Sequence, residues 1–169
     1  WRTHRYPGVR SDSDLHTFGY RFKAWRGPPI ATGEEILAYM GEVIDENDIA
    51  RHIQYRTRVL TADWSETDCR WVVDLEDVET GARHQVTASF LWMCQGYYRH
   101  SEGYTPEWPG MDDFQGRLVH PQTWPEDMDC DGKRIVVIGS GATAATLIPA
   151  LAESAGHVTM LQRSPTYFT

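Results

Sequence analysis

A glycine-rich turn is the clearest chemical signal in this sequence. The run Gly139-Ser140-Gly141-Ala142-Thr143-Ala144 directly follows a short apolar segment and opens a helical one, which is the context that a dinucleotide-binding turn requires. Gly139 permits a tight turn, Gly141 lets the backbone approach a pyrophosphate, and Ala144 lets the helix pack closely on the strand. The amino terminus of the helix then offers N–H groups to the phosphates. We expect dinucleotide binding here; the alternative is a glycine-rich turn that binds nothing.

The residues after the next predicted strand indicate which dinucleotide is bound. NAD-binding sites place Asp or Glu roughly 20 residues beyond the glycines to hold the ribose 2′-hydroxyl, whereas this chain has Gln162, Arg163 and Ser164. An arginine can pair with a 2′-phosphate through its planar set of donors, and a carboxylate would repel one. The pattern therefore favours NADPH, held by Arg163 and Ser164. The alternative is that Arg163 is an ordinary surface residue.

Two further patterns lie far apart in the chain. Residues 114–125 follow the pattern Phe-x-Gly-x-x-x-His-x-x-x-Trp-Pro, with His120 and Trp124 at two of its defining positions. Residues 1–12 run from Trp1 through Tyr6-Pro7-Gly8 to Asp12. By residue type alone, the first of these patterns indicates no more than a linker histidine and a buried tryptophan.

Together these patterns resemble the two fingerprints of type I Baeyer–Villiger monooxygenases, in the order that this flavin-containing monooxygenase family requires. Within the family the chain is most similar to the ethionamide-activating FAD monooxygenase group, through residues 11–19 and 120–127. Cys94-Gln95-Gly96-Tyr97 resembles the glycine motif that runs past the flavin, although Gln95 departs from the usual Thr or Ser. The simpler flavin-containing monooxygenases usually have Tyr or Phe at the position of Trp124.

The resemblance implies an α/β flavoprotein with two dinucleotide-binding domains, of which this chain is a fragment. Residues 1–98 would be the later part of the FAD-binding domain, 99–132 the interdomain linker, and 133–169 the start of the NADPH-binding domain. It also implies that the FAD pyrophosphate motif lies before Trp1 and the family's catalytic arginine beyond Thr169. We therefore expect the isolated chain to be inactive.

The same resemblance gives individual residues roles toward FAD and NADPH. The candidate catalytic residues are Asp12, which orients the family's arginine beside the flavin, His120, which couples domain movement to catalysis, and Trp124, which packs at the hinge. Besides the glycine-rich turn, the candidate cofactor-binding residues are those that would approach either dinucleotide: Trp1, Tyr6, Pro7, Asp12, Gln95, Gly96, Arg163 and Ser164.

The implied reaction inserts one oxygen atom from O₂ into a ketone, as in a Baeyer–Villiger oxidation, or adds it to a sulfide. Three alternatives stay open. The first is a flavin-containing N- or S-oxygenase, which Trp124 disfavours. The second is an inactive fragment that merely binds nucleotide. The third is a flavin disulfide reductase, which is disfavoured because the chain has no pair of redox cysteines.

Periodicity predicts the elements that carry the amino-terminal half of the chain. Thr32 and Glu35 form a capping box at the start of a helix that ends near Asn47. Strands at residues 58–64, 70–75 and 85–93 fit an antiparallel meander, with Trp71 and Trp92 assigned to packing. The apolar face of the helix consists of these residues: Ile36, Leu37, Met40, Val43 and Ile44.

The carboxyl-terminal half reads as a linker followed by the start of a Rossmann βαβ unit. Residues 97–132 have the proline and glycine content of a linker. The strand at 134–138 is a continuous apolar run, of the kind buried on both faces of a parallel sheet. A helix at 142–153 and a strand at 157–162 follow, and Pro149 is expected to kink that helix or end it early.

Composition limits the remaining possibilities. The chain has 169 residues, of which 41% are hydrophobic, and its net charge of −8 argues against nucleic acid as a partner. No apolar run approaches the roughly 20 residues that span a bilayer, so an integral membrane protein is not expected. Cys69, Cys94 and Cys130 form no close pair and the histidines lack metal-ligand spacing. We therefore expect reduced thiols, no metal site and a cytoplasmic location.

Overall fold

The computed structural model describes residues 1–167. Contacts divide the chain into two compact units, one built from Trp1–Val43 together with the segment from Arg99 onwards, and the other from Ile44–Tyr98. In the described residues, three strands form an antiparallel sheet and two strands form a parallel pair. The mixed α/β class predicted from the sequence is confirmed.

Two helices lie near the amino terminus, and each begins at a side-chain cap. α1 spans Leu15–Phe18 and is capped by the carboxylate of Asp14, whereas α2 spans Gly33–Glu46. Thr32 Oγ1 accepts a hydrogen bond from Glu35 N at 3.2 Å, and the Glu35 carboxylate accepts one from Thr32 N at 2.8 Å. Each residue satisfies a donor of the other, so the predicted capping box is confirmed.

The buried face of α2 differs from the prediction at one turn. Ile36 and Val43 are buried as expected, but the residue between them is Tyr39, and Met40 is 39% exposed. The Tyr39 hydroxyl donates to Lys23 O at 2.6 Å and accepts from another backbone N–H of the same loop at 2.8 Å. The loop before the helix therefore lies against Tyr39, a contact between distant residues that helical periodicity does not reveal.

The second unit carries an antiparallel meander in the order β1-β2-β3. β1 spans Thr57–Ser65, β2 spans Arg70–Asp77 and β3 spans Arg83–Ala88. In the central strand, Val73 and Leu75 are buried because alternate residues of a strand share one face of the sheet. The predicted meander is confirmed.

β3 is shorter than predicted, ending at Ala88 instead of Met93. Ala88 pairs with Trp71, the second residue of β2, so little of the partner strand remains beyond this pair. Backbone N–H and C=O groups in a strand need a neighbouring strand, and the residues after Ala88 leave the sheet. Trp71 packs edge-on against Trp64 as assigned, with 5.7 Å between ring centroids. Trp92 meets Phe90 edge-on at 6.1 Å but is 77% exposed, so it packs less than expected.

The carboxyl-terminal part of the first unit is a βαβ unit. β4 spans Arg134–Ile138, α3 spans Ala142–Ala152 and β5 spans His157–Leu161. The two strands pair in parallel, from the first residue of each to the last. The predicted start of a Rossmann unit is confirmed. The helix continues through Pro149 to Ala152, so the proline does not end it early.

β4 is buried on one face, not on both as its continuous apolar run predicts. Ile135 and Val137 pack against core residues of α3, whereas Val136 and Ile138 are 61% and 54% exposed. In the described part of the chain, the parallel sheet has two strands and a helix against one side. The exposed residues therefore form the face that α/β folds of this kind cover with a second layer.

Between positions 97 and 132 the structure has neither an α-helix nor a strand, in keeping with the proline and glycine content there, and the role of this segment as an interdomain linker stays a prediction. Short 3₁₀ turns occur at Met111–Asp113 and Pro121–Thr123, and a third lies in the second unit at Ala50–His52. Among the helices described, none is long and apolar enough to cross a bilayer.

Candidate nucleotide-binding site

The glycine-rich turn after β4 adopts a conformation that needs its glycines and leaves space beside them. Gly139 has a φ of 124°, which L side chains rarely adopt, and its N–H donates to Leu161 O at 2.8 Å. Gly141 is the extended N-cap of α3. A Cβ added to either glycine would meet no atom within 4 Å. The open space lies where a pyrophosphate would approach the backbone, so the turn fits the dinucleotide predicted for it.

The amino terminus of α3 has no side-chain cap, unlike those of α1 and α2. Gly141 offers no hydrogen-bonding side chain, and Ala145 N is the first to bond within the helix, to Gly141 O at 3.0 Å. The N–H groups of Ala142 and Thr143 precede this ladder and point out of the helix end. Buried Ala144, which follows them, lets the helix approach the strands closely. The helix end can therefore receive an anion through backbone N–H groups and the helix dipole.

The loop carrying Arg163 is joined to the glycine-rich turn at both of its ends. At one end Gly139 N bonds Leu161 O; at the other the hydroxyls of Ser140 and Thr166 lie 2.5 Å apart and share a hydrogen bond. Arg163 and Ser164 lie between these two ties and are exposed. A short loop held at both ends loses little further freedom on binding a ligand. The structure thus brings the two predicted phosphate-binding elements to the same edge of the sheet.

A groove of about 380 Å³ lies beside the turn, between α3 and β5. The lining is mostly apolar, and Ser140 of the turn contributes a hydroxyl. The full lining is Ser140, Ala144, Ala145, Ile148, Pro149 and Met160.

A single apolar cluster joins both fingerprint patterns to the βαβ unit. Tyr6 of the first fingerprint is buried with Cys130, Leu147 and Leu151, and Trp124 of the second packs against them. Leu147 and Leu151 belong to α3. Burial in this cluster raises the pKa of the Cys130 thiol above its usual value. A residue of each fingerprint thus packs on the cluster that contains α3.

Gly8 brings the first fingerprint into direct contact with α3. Its φ of +76° suits glycine, and a Cβ there would overlap the Thr146 carbonyl oxygen and lie 2.9 Å from the Ala150 side chain. An ion pair of 2.5 Å between Arg5 and Glu126 joins the same segment to the turn after Trp124, although both side chains are exposed and the pair adds little stability. The first fingerprint is therefore held on α3 mainly by close backbone packing.

The remaining residues of the first fingerprint are more accessible. Trp1 and Asp12 are exposed and Pro7 is half-buried. The backbone next to Asp12 is fixed, since Ser11 N donates to Ala31 O at 2.8 Å and Ala31 N donates to Ser11 Oγ at 3.1 Å. The Asp12 carboxylate accepts a hydrogen bond from the adjacent Ser13 hydroxyl at 3.2 Å. Asp12 thus presents a carboxylate to solvent from a rigid backbone, in a place where a cationic partner can reach it.

His120 is half-buried and begins the 3₁₀ turn at Pro121–Thr123. Its Nδ1 accepts a hydrogen bond from Gln122 N at 3.2 Å, so the neutral ring carries its proton on Nε2. Burial lowers the pKa of His4 below its usual value, and the nearby His100 and His120 lower it further.

Gln95 and Gly96 lie in the second unit. Gly96 has a φ of +73°, so the turn there suits glycine, and Gln95 beside it is exposed. Their contact with a flavin stays a prediction. Nowhere in residues 1–167 do three His, Cys, Asp or Glu side chains form a group that could hold a metal ion.

Sequence reasoning missed the contacts of three residues that shape this region, although it included Gly8 in the first fingerprint. Gly8 and Gly103 each leave room for another residue, and Thr166 fixes the loop that carries Arg163. The positive φ of Gly8 could have been expected from its Pro-Gly sequence, which is typical of turns. The roles of Gly103 and Thr166 depend on partners far away in sequence, so no local pattern points to them.

Comparison with known proteins shows the family. The model of a family described as flavin-binding monooxygenase-like matches residues 26–168. Over 169 residues the chain is 56% identical to the FAD-containing monooxygenase EthA of Mycolicibacterium smegmatis, covering 99% of this chain and 34% of that protein. The chain thus spans about a third of the length of the curated relatives it matches.

Solved structures of similar fold are also monooxygenases. A steroid monooxygenase with NADP bound has a TM-score of 0.78 and 37% identity, covering 99% of this chain and 32% of that one. Cyclohexanone monooxygenase from Rhodococcus sp. Phi1 with NADP⁺ bound has a TM-score of 0.74 and 32% identity, covering 99% of this chain and 31% of that one. With the glycine-rich turn and both fingerprints in place, the chain belongs to the flavin-binding monooxygenase-like family.

Proposed function

We propose that this chain is part of an FAD- and NADPH-dependent monooxygenase that inserts one oxygen atom from O₂ into ketones or adds it to sulfides. The observation that carries the proposal is the glycine-rich turn at 139–144, where the uncapped amino terminus of α3 stands beside the loop bearing Arg163. Membership of the flavin-binding monooxygenase-like family supports the other parts of the proposal, which are FAD as a cofactor and the monooxygenase reaction.

NADPH is the dinucleotide of this turn. Its pyrophosphate meets the first N–H groups of α3, and Arg163 and Ser164 hold the 2′-phosphate through charge-assisted and hydroxyl hydrogen bonds. Similar solved structures with NADP bound support this assignment. We accordingly assign residues 133–169 to the start of the NADPH-binding domain, 99–132 to the linker and 1–98 to the later part of the FAD-binding domain. Residues 168 and 169 lie outside the described residues.

FAD is the second cofactor, and the exposed residues of the first fingerprint would help to hold it. When bound and reduced by NADPH, the flavin supplies the activation of O₂. Trp1 and Asp12 are accessible to such a ligand, whereas Tyr6 acts through the apolar cluster on α3. The residues assigned to the FAD side are Trp1, Tyr6, Pro7, Asp12, Gln95 and Gly96.

The catalytic roles in this chain are orientation and movement. The Asp12 carboxylate accepts hydrogen bonds from a cationic side chain beside the flavin, and its rigid backbone fixes where that cation stands. His120 transmits domain movement, and Trp124 packs on the cluster that contains α3. Neither residue is assigned a proton transfer.

The substrates are small carbonyl or sulfur compounds. A similar solved structure is a cyclohexanone monooxygenase with cyclohexanone bound, which supports a ketone, as does Trp124 at the position where simple N-oxygenases differ. The net charge of −8 supports the absence of a nucleic-acid partner. Cys69 and Cys94 are exposed free thiols, which favours a reducing, cytoplasmic location.

The test uses a full-length family member that carries these 169 residues. It is incubated with NADPH, O₂ and a panel of cyclic ketones, thioethers and tertiary amines, and the products are identified by mass spectrometry. We expect lactones from ketones and sulfoxides from thioethers. Oxygenation of the amines alone would contradict the Baeyer–Villiger assignment and support an N-oxygenase.

A variant tests the role of Asp12 in the same experiment. Asp12→Asn should retain bound FAD while oxygenation falls, because the neutral amide no longer holds a cation beside the flavin. Asp63→Asn makes the same change at an exposed position of β1 and should leave both properties unchanged. Equal activity of the two variants would remove Asp12 from the catalytic residues.

A further inference from the structure

We propose that Gly103 is a positioning residue that fixes the imidazole of His120, so that the linker sets the orientation of the second fingerprint's histidine. The proposal rests on the proposed function only for the consequence on turnover, since the contact itself is a property of this chain. Gly103 and His120 both belong to the first compact unit.

The first observation is steric. A Cβ built on Gly103 would overlap the imidazole of His120, and the three atoms nearest to it are all ring atoms: Cε1, Nδ1 and Nε2. The φ of Gly103 lies outside the left-handed region, so backbone conformation does not demand a glycine at this position. Gly103 instead leaves space for the His120 ring, and any side chain at position 103 would force that ring to shift.

The second observation is that hydrogen bonds join the same two segments. Gln122 Nε2 donates to Arg99 O at 2.7 Å, while Gln122 N donates to His120 Nδ1 at 3.2 Å. An exposed ion pair of 2.6 Å joins Arg99 and Glu102 just before Gly103, although such a pair adds little stability. One glutamine therefore holds both the imidazole and the segment that packs on it.

These contacts specify the chemical state of the ring as well as its place. With Nδ1 engaged as an acceptor, the neutral imidazole presents its proton on Nε2. A side chain at position 103 would push the ring out of this position and break the bond to Gln122 N. The orientation and tautomer of His120 thus depend on Gly103, which has no side chain and lies seventeen residues earlier in the sequence.

The experiment compares four variants of a full-length family member that carries this sequence: Gly103→Ala, His120→Ala, the double variant, and Gly41→Ala. Gly41 is the matched control because it has an ordinary φ and a Cβ there would meet nothing within 4 Å. The measurements are the melting temperature, heteronuclear NMR of histidine-labelled protein, with the His120 signals assigned by their loss in His120→Ala, and turnover with FAD bound.

We expect Gly103→Ala to shift the His120 ring signals and to reduce turnover about tenfold, because displacements of order 1 Å cost up to a hundredfold. In the His120→Ala background the same change should be neutral for melting temperature and turnover, since the removed ring leaves room for the methyl group. Gly41→Ala should leave the ring signals and turnover as they are.

The double variant keeps the test decisive even if Gly103→Ala alone folds poorly. Equal destabilisation by Gly103→Ala with and without the His120 ring would overturn the proposal, as would unchanged ring signals in a folded Gly103→Ala protein. If His120→Ala retains full turnover, the proposed role of the histidine fails, while the ring signals and melting temperatures still decide whether Gly103 positions it.

Discussion

Arg163 stands on a loop that is tied at both ends to the glycine-rich turn, and this arrangement gives an exposed arginine a defined position. An isolated surface arginine would lose considerable side-chain and backbone freedom on binding a phosphate. Here the bonds from Gly139 N to Leu161 O and between the hydroxyls of Ser140 and Thr166 hold the loop before a ligand arrives. Specificity for NADPH is therefore expected to depend on these two hydrogen bonds as well as on the charge of Arg163.

Arg163→Ala should weaken NADPH binding and leave NADH binding nearly unchanged. Losing one charge-assisted contact costs about 1.5–3 kcal/mol, or roughly one to two decades of affinity. The measurement compares dissociation constants for NADP⁺ and NAD⁺ by calorimetry in a full-length protein carrying this chain. Arg70→Ala, at an exposed position of β2, is the matched control. An unaltered NADP⁺ preference in Arg163→Ala would show that another residue reads the 2′-phosphate.

Thr166→Val should lower NADP⁺ affinity several-fold while Thr166→Ser retains it. Valine keeps the shape of threonine but cannot share a hydrogen bond with Ser140, and one such bond contributes about 1 kcal/mol. NAD⁺, which lacks the 2′-phosphate, should be affected less. Thr87→Val makes the same exchange on β3 and should change neither affinity. If valine and serine at position 166 behave alike, the tie does not organise the loop.

At the scale of elements, three different parts of α3 have three different roles. Its amino terminus is left uncapped beside the glycine-rich turn, its buried side packs under β4 and β5, and its Thr146–Ala150 surface receives the backbone of Gly8. The uncapped amino terminus lowers the stability of the helix, because its first N–H groups have no protein partners. Packing against the strands and against Gly8 offsets this loss. The contact with Gly8 also joins the first fingerprint to the helix that would bind the nucleotide.

Two glycine-to-alanine changes should alter stability in opposite directions, one at the contact with α3 and one at a control position in α2. Gly8→Ala should destabilise the chain by about 1–3 kcal/mol, because its φ is unfavourable for alanine and the methyl group would overlap α3. Gly41→Ala lies inside α2 with free space around it, and should stabilise by up to about 1 kcal/mol through helix propensity. Urea unfolding of each variant gives both values. If Gly8→Ala is as stable as the wild type, the first fingerprint does not pack on α3 as described.

At the scale of the whole molecule, the proposed function assigns to this chain one dinucleotide-binding turn and part of a second cofactor site. The sequence holds one glycine-rich turn of the dinucleotide-binding type, at 139–144, while the proposed function needs both FAD and NADPH. The chain also spans about a third of the length of the curated relatives it matches. A pyrophosphate without a glycine-rich turn lacks its main backbone donors, so the two cofactors should behave differently toward this chain.

The purified 169-residue chain should therefore not retain FAD, although its glycine-rich turn can receive NADP⁺. Its visible absorption spectrum reports bound flavin directly, and calorimetry with NADP⁺ reports the other site. A Gly141→Val variant, which fills the space beside the backbone, should abolish any NADP⁺ binding. A yellow chain with stoichiometric FAD would contradict the view that residues 1–98 contribute only part of the flavin site.

The sequence by itself determined the features whose causes lie within a few residues of one another. Thr32 and Glu35 predict their capping box because the two side chains reach each other's backbone across a single turn. Gly139 and Gly141 likewise predict a tight, open turn between a strand and a helix. The α/β class, the meander and the family resemblance all follow from such local patterns.

Only the tertiary structure decided where distant segments meet. Tyr39 replaces Met40 in the core because a loop outside α2 binds its hydroxyl, and β3 stops at Ala88 because its partner strand runs out. Val136 is exposed because one face of β4 lacks a covering layer in the described residues. The contact of Gly103 with His120 is of the same kind. Periodicity reports which side of an element is apolar, whereas the segment that packs there depends on the path of the whole chain.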